Sequence, residues 1–288
     1  MSRSEATSLA LGPARTKGGA TRRRMEQAFS RVPWRVLALQ LCCIGIPLVV
    51  WEAAVRAGLA DPFFFGLPSE VFAYVGRTLV DGSLLYQTWV TLSEQAVGLL
   101  LGTAVGSAIA LALWWSGFLS RVLETYAVIL NATPKIVIAP LLVVWFGLGM
   151  TSKVMISALV TGVVAWLGAF DGVRRCDLDQ SDLVRALGGR ERHVFAKIVV
   201  PGVLPYGFAT LRLNIGFSLI GVITGEFLSS TAGLGYLVDT TSKAYEMSHT
   251  LGAILVIALI AAAELWLLAR AEAYLMHWSD AVAPASMT

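Results

Sequence analysis

The residues able to do chemistry in this chain are few, and most of them gather in one stretch, Asp182 to Pro201 (DLVRALGGRERHVFAKIVVP). Outside it, nothing assembles a reactive constellation. The three histidines, His193, His249 and His277, fall in separate loops, and neither HExxH nor GxSxG occurs. A phosphate-cradling G-x-x-x-x-G-K-[ST] loop is also missing, so the chain has no means of binding ATP itself. Cys42 and Cys43 are adjacent within an apolar run and Cys176 stands alone, which suits neither a disulfide framework nor a zinc site. No catalytic residue, metal ligand or cofactor site is expected on this chain. What remains is a charged island flanked on both sides by apolar runs long enough to cross a bilayer. A membrane protein keeps such a loop structured when something outside the membrane must grip it.

Periodicity divides the island into two short helices. Leu183, Val184 and Leu187 share one face of the first, which Asp179, Ser181 or Asp182 would cap. Gly188-Gly189 suits a left-handed stop. In the second, Glu191 to Val200, Val194, Phe195, Ile198 and Val199 fall on one side and Arg192 and Lys197 on another. Pro201, without an N–H, is expected to end it. Two plainer readings stand beside the gripping one. The island could be a solvated loop obeying the positive-inside rule. A helix–glycine–helix also suits a DNA-binding motif, but a loop tethered to membrane spans at both ends is badly placed to enter a groove.

The elements that hold the island are apolar. Residues AVILMFWYC make up 56% of the chain and DEKR only 14%, against about a quarter charged in an ordinary soluble domain. Mean hydropathy is +0.70. Residues 1–33 are basic and aperiodic and are expected to form a disordered cytoplasmic tail. Residues 34–83 hold a first span, from about Val36 to Ala54, and an amphipathic helix opening at Pro68-Ser69-Glu70 that suits the outer interface. From residue 84 a long span carries Gly98, Gly102 and Gly106 at every fourth position, a spacing that lets helices approach closely in lipid. Thr125 to Phe146 is interrupted by Asn131-Ala132-Thr133-Pro134-Lys135, with Pro140 as a second break. Polar residues at that depth are expensive unless they face a neighbour helix or a wet cavity. Asn131 and Lys135 therefore read either as the lining of a pathway or as a span end with a snorkelling lysine.

Further spans follow at Lys153 to Phe170, Gly207 to Leu228 and Leu251 to Leu268, giving about six at roughly twenty residues each. Arg212 falls near the inner end of its span and Glu226 near the outer end, and both join Asn131 and Lys135 as candidate pathway residues. Glu264 is expected near an inner end, with no carboxylate buried close to a span centre. Cations crowd one side: the tail, Arg121, the island and Arg270. Only Arg56, Arg77, Lys153 and Lys243 face the other, so the island and both termini, 277–288 included, are expected in the cytoplasm.

The island resembles the "EAA" loop of ABC-transporter permeases, which runs Glu-Ala-Ala, three residues, Gly, nine residues, Ile-x-Leu-Pro. Asp182-Leu183-Val184 stands in the first place, Gly188 at the required offset, and Ile198-Val199-Val200-Pro201 at the end. Arg185-Ala186-Leu187-Gly188 is similar to the family's Ala-Arg-x-Leu-Gly run. Leu67-Pro68-Ser69, the segment from Pro134 to Gly149, and Gly233-Leu234-Gly235-Tyr236 resemble the nitrate, sulfonate and taurine branch. The resemblance implies an all-α membrane protein of the type I importer permease fold, with residues 84–276 as its permease domain and 179–201 as its coupling loop. Asp182, Leu183, Val184, Arg185, Ala186, Gly188 and Pro201 would then engage a separate ATPase subunit, which binds ATP and Mg. A second permease copy, an external solute-binding protein and membrane lipid are the other implied partners, with no nucleic acid. The implied location is a bacterial inner membrane, the cargo a small solute such as an aliphatic sulfonate, taurine or a nitrate-like anion, and the mechanism alternating access. The alternative class is a secondary transporter or channel driven by an ion gradient, which calls for paired acids or helix-broken ion sites at mid-membrane.

Overall fold

A computed structural model describes residues 34–176 and 178–275, so the expected tails at 1–33 and 277–288 lie outside the described residues. Every described element is helical. Residues up to Leu59 form one compact unit and the rest another. In the first unit, α1 (Trp34–Arg56) is 23 residues long, carries Pro47, and ends in an i,i+4 ion pair between Glu52 and Arg56 at 2.6 Å. Its length and composition suffice to cross a membrane.

The second unit opens with the short α2 (Pro62–Phe65) and with α3 (Pro68–Val80), whose first turn carries Pro68 and Glu70. Glu70 accepts a hydrogen bond from Ser248, and Tyr74 stacks on His249 at 4.1 Å, which ties α3 to the start of α12 (Met247–Leu275). Four long helices make up the bulk of the unit: α4 (Ser83–Leu113), α7 (Met150–Arg174), α10 (Val200–Ser229) and α12. Between α4 and α7, α5 (Gly117–Ala132) is followed by a tight turn at Lys135–Ile138 and by α6 (Ala139–Phe146), the two halves bent by 83°. Pro134 makes the expected break. Pro140 does not make a second one, because it occupies the first turn of α6, where its missing N–H would have had no partner. Among the described residues five helices are long and apolar enough to span, or six if the bent pair counts as one.

Small residues set the spacing at the centre. A Cβ added to Gly98 would lie 2.5 Å from Ser157 Cβ, and at Gly102 and Gly106 it would collide with the α7 backbone. From α10, Gly221 approaches the Cα of the same Ser157, where a Cβ would stand at 2.7 Å. The glycine stripe is therefore a packing seam, and α7 is held at backbone contact by two neighbours. Dispersion and interhelical hydrogen bonds, rather than the hydrophobic effect, hold helices together in lipid, so this closeness carries the fold. Asn214 adds a crosslink, donating to Thr103 Oγ1 and to the Thr161 carbonyl, both at 3.1 Å.

Gly102→Val should overpack the seam and cost about 1–3 kcal/mol or more. Gly216→Ala, at a helical position with open space around it, should be tolerated. Monodispersity and Tm in detergent check both, and equal behaviour of the two variants would contradict the seam.

Candidate functional site

The island is built on the core. Val194 and Val199 are each 1% exposed and pack with Ala110, Ala169, Phe170 and Val203, drawn from α4, α7 and α10. Phe195 joins them against Trp114 and Trp115, with ring centroids 5.3 and 5.5 Å apart. The apolar side predicted for the second half is thus its seat on the membrane bundle.

The first half points the other way. In α8 (Leu178–Ala186) Leu183 is 59% exposed, and Leu187, just past its end, is 79% exposed, while Val184 packs back onto the core. The helix starts earlier than expected, so Asp182 is not its cap but lies inside it. There Asp182 accepts from Arg185 Nη1 at 2.8 Å, and Glu191 takes the same guanidinium bidentately at 2.8 and 3.1 Å. Those carboxylates, Glu191 first, hold Arg185 protonated even more firmly than an ordinary arginine. Gly188 has φ +83°, the left-handed stop predicted, with Gly188 N–H and Gly189 N–H donating to the Arg185 and Val184 carbonyls at 2.9 Å. Ala186 closes the helix. His193 Nδ1, which the sequence reading left unassigned, accepts from the Arg190 N–H at 3.0 Å and caps α9 (Glu191–Val194).

Pro201 does not end the second helix. The chain passes from α9 through one wide π-turn, Phe195–Val199, directly into α10, and Val200 N–H reaches the Phe195 carbonyl. The wide turn moves the carbonyl that the proline ring would strike and absorbs the absent N–H, so helical geometry continues.

The pathway candidates separate. Asn131 lines a cavity of about 450 Å³ together with Val164, Gly168, Asp171, Tyr206 and Phe217 among others. Lys135 is not in that lining; its Nζ donates to the Asn131 carbonyl at 3.2 Å and so caps the C-terminus of α5. Arg212 faces α12, bonded to Glu272 at 2.7 Å. Glu226 is 1% exposed and accepts from Thr91 Oγ1 at 2.7 Å and from the Gly235 N–H at 2.5 Å. It pins the turn before α11 (Leu234–Lys243) rather than opening on the cavity.

The expectation of no buried carboxylate near a span centre was wrong. Lys153, taken above as an outward-facing cation, is 4% exposed, and its Nζ lies 2.5 Å from Glu94 Oε1 and 2.9 Å from Ser230 Oγ. Gln95 Nε2 donates to Glu264 at 2.7 Å and contacts Ser218 at 3.2 Å. Glu264 is well inside α12, because that helix continues past the expected span end to Leu275. Glu94, Gln95 and Glu264 were missed or misplaced since nothing local marks them. Only the glycine seam, which presses α4 onto α7, hints that polar side chains on these helices must find one another. Among the described residues no three His, Cys, Asp or Glu side chains could hold a metal ion.

Lys153→Met should strand the Glu94 carboxylate and cost about 3–5 kcal/mol, while Glu94→Gln combined with Lys153→Met should recover much of it. Tm in detergent measures both, and a neutral single variant would show that the pair is not desolvated.

Comparison with known proteins adds context to this geometry. Residues 98–274 match the family described as "Binding-protein-dependent transport system inner membrane component". A probable ABC transporter permease protein of Haemophilus influenzae is 33% identical over 218 residues, covering 75% of this chain and 88% of the relative. The formylaminopyrimidine transport permease protein ThiX of Halalkalibacterium halodurans is 26% identical, covering 80% of this chain and 92% of its own. The taurine transport system permease protein TauC of Escherichia coli is 26% identical, covering 80% and 88%.

Proposed function

The chain belongs to the family of binding-protein-dependent inner membrane components, the permeases of ABC transporters, and we propose that it works as the pathway-forming subunit of an importer coupled through Asp182 to Pro201. It is a transport component and not an enzyme, and nucleotide binding in such transporters belongs to a separate ATPase. The observation that carries the coupling role is the two-sided build of the island. Val194 and Val199 root it in the bundle, while Leu183 and Leu187 stand exposed on a short helix braced by Arg185. An apolar pair of this kind, on a charged helix outside the greasy bundle, suits a cleft on a partner protein. In this reading Asp182, Leu183 and Arg185 belong to the contact, Val184 and Ala186 fix the helix, Gly188 sets its exit, and Pro201 joins it to α10.

Two copies would enclose the pathway, with ATP and Mg bound on the ATPase pair, and an external binding protein would deliver the solute. ATP-driven closure of that pair would move the two islands together and rock the bundles between access states. The cation asymmetry supports cytoplasmic termini and a cytoplasmic island. On the outer side it leaves Arg56, Arg77, Lys153 and Lys243, with Lys153 buried against Glu94. A bacterial inner membrane follows, with lipid against the exposed apolar faces. Asn131 is the pathway residue best supported, because it lines the cavity. Taurine fits as cargo through the likeness to TauC, and a formylaminopyrimidine through the likeness to ThiX. The gradient-driven alternative drew on the absence of paired acids as its discriminator. That discriminator fails here, and family membership decides against the alternative instead.

Gly188→Val would force a β-branched residue into the left-handed region at about 1–2 kcal/mol and misdirect the exit of α8. Co-purification of the ATPase should be lost while membrane insertion stays intact, and retained association would refute the role of that turn. Asn131→Leu should lower uptake several-fold without loosening the complex; unchanged uptake would remove Asn131 from the pathway.

A further inference from the structure

The cavity that Asn131 lines carries a chemical signature of its own. Val164, Gly168 and Asp171 repeat at helical spacing along α7, and Tyr206, Thr210 and Phe217 do so along α10, so the space lies between two facing stripes. Its volume, about 450 Å³, is within the range of small-molecule sites. Asp171 is the one charged residue in the lining. Its carboxylate has neither an ion pair nor a side-chain hydrogen bond among the described residues, whereas most other carboxylates near the island are committed. Of the two arginines one turn away, Arg174 is spent on Glu124 and lies 5.7 Å from the centre of the Phe170 ring, and Arg175 is exposed at the end of α7. The nearest cation beside Asn131, Lys135, is turned onto a backbone carbonyl.

A carboxylate that is the one charge on a wall of apolar, aromatic and neutral polar side chains favours a cation or a group rich in N–H donors and disfavours an anion. We propose that this cavity receives an amine-bearing end of the solute, an ammonium, amidine or amino-heterocycle nitrogen set against Asp171. The Asn131 amide and the Tyr206 hydroxyl supply further hydrogen bonds, and the Phe217 ring offers an apolar face. This rests on the pathway role proposed above and narrows it. Taurine, a zwitterion, and an aminopyrimidine carry the required group. Nitrate and an unsubstituted alkanesulfonate do not. Asp171 is then a specificity-determining residue.

The test reads the charge preference of the cavity directly, with no need to know the solute. In the full chain, purified with its ATPase and reconstituted in nanodiscs, Cys42, Cys43 and Cys176 are replaced by serine and a single thiol is introduced by Ala209→Cys, on the exposed part of the lining. Labelling rates are measured with a trimethylammonium-bearing and a sulfonate-bearing methanethiosulfonate, each normalised to its rate with a free thiol. The cationic reagent should lead by roughly tenfold, as expected for one nearby carboxylate in a partly wet site. Asp171→Asn should erase most of that lead, and Asp171→Glu should keep it. No labelling, no preference, an anionic preference, or a lead that survives Asp171→Asn would each overturn the proposal. Retention of the ATPase is scored on the same samples, and labelling is read whether or not it is retained. Loss of the ATPase with the charge preference intact would count against the coupling role alone.

Discussion

Backbone contact between α7 and its two neighbours, α4 and α10, is the constraint on which the second unit of this protein rests. In lipid the gain from bringing apolar surfaces together is small, because the tails of the bilayer are as apolar as the helices. Association then depends on how closely backbones approach, and the glycines of α4, together with Gly221 and Gly225 of α10, allow an approach that any side chain would prevent. The approach has a second effect. It carries Glu94, Gln95, Asn214, Ser218 and Glu226 into the buried interior, where an unpaired polar group is costly, and each has a protein partner there. The buried ion pair and the amide crosslinks are consequences of the seam and help specify its register.

If the island couples as proposed, its seat on the bundle would let a handle outside the membrane move it. Val194, Phe195 and Val199 sit on residues of α4, α7 and α10 at once, so a displacement of the island is felt by three helices together. The π-turn at Phe195–Val199 makes the island and α10 one continuous helical path instead of two rods joined by a loop. A stiff connection of this kind transmits force, whereas a flexible one would absorb it. The exposed tip at Leu183 and Leu187 and the Arg185 brace give such force a defined point of entry.

The cavity and the buried polar network answer different needs. At the far end of α10, Glu226 closes on a loop turn and Lys153 on Glu94, so those charges are consumed by structure. At the island end Asp171 has no such partner among the described residues, and it is the one charge in the cavity lining. The contrast separates charges that hold the fold from one that faces solute-sized space.

How much was legible depends on whether a feature is local. Helix periodicity, the glycine stripe, the break at Pro134, the left-handed stop at Gly188 and the apolar underside of the island are each written within a few residues, and the structure has them where the sequence puts them. The island's likeness to a coupling loop was also readable, because its spacing is a local pattern. What the sequence could not decide was which polar residue meets which. Glu94 and Lys153 are 59 apart and Gln95 and Glu264 are 169 apart, and only packing brings them together. Pro201 was misread for a related reason, since a proline ends a helix only where the preceding turn cannot widen. The sequence by itself determined the helices, their small-residue faces and the charged island. The tertiary structure alone decided the pairing of buried charges and the unpaired state of Asp171, because desolvation depends on neighbours that no local pattern names.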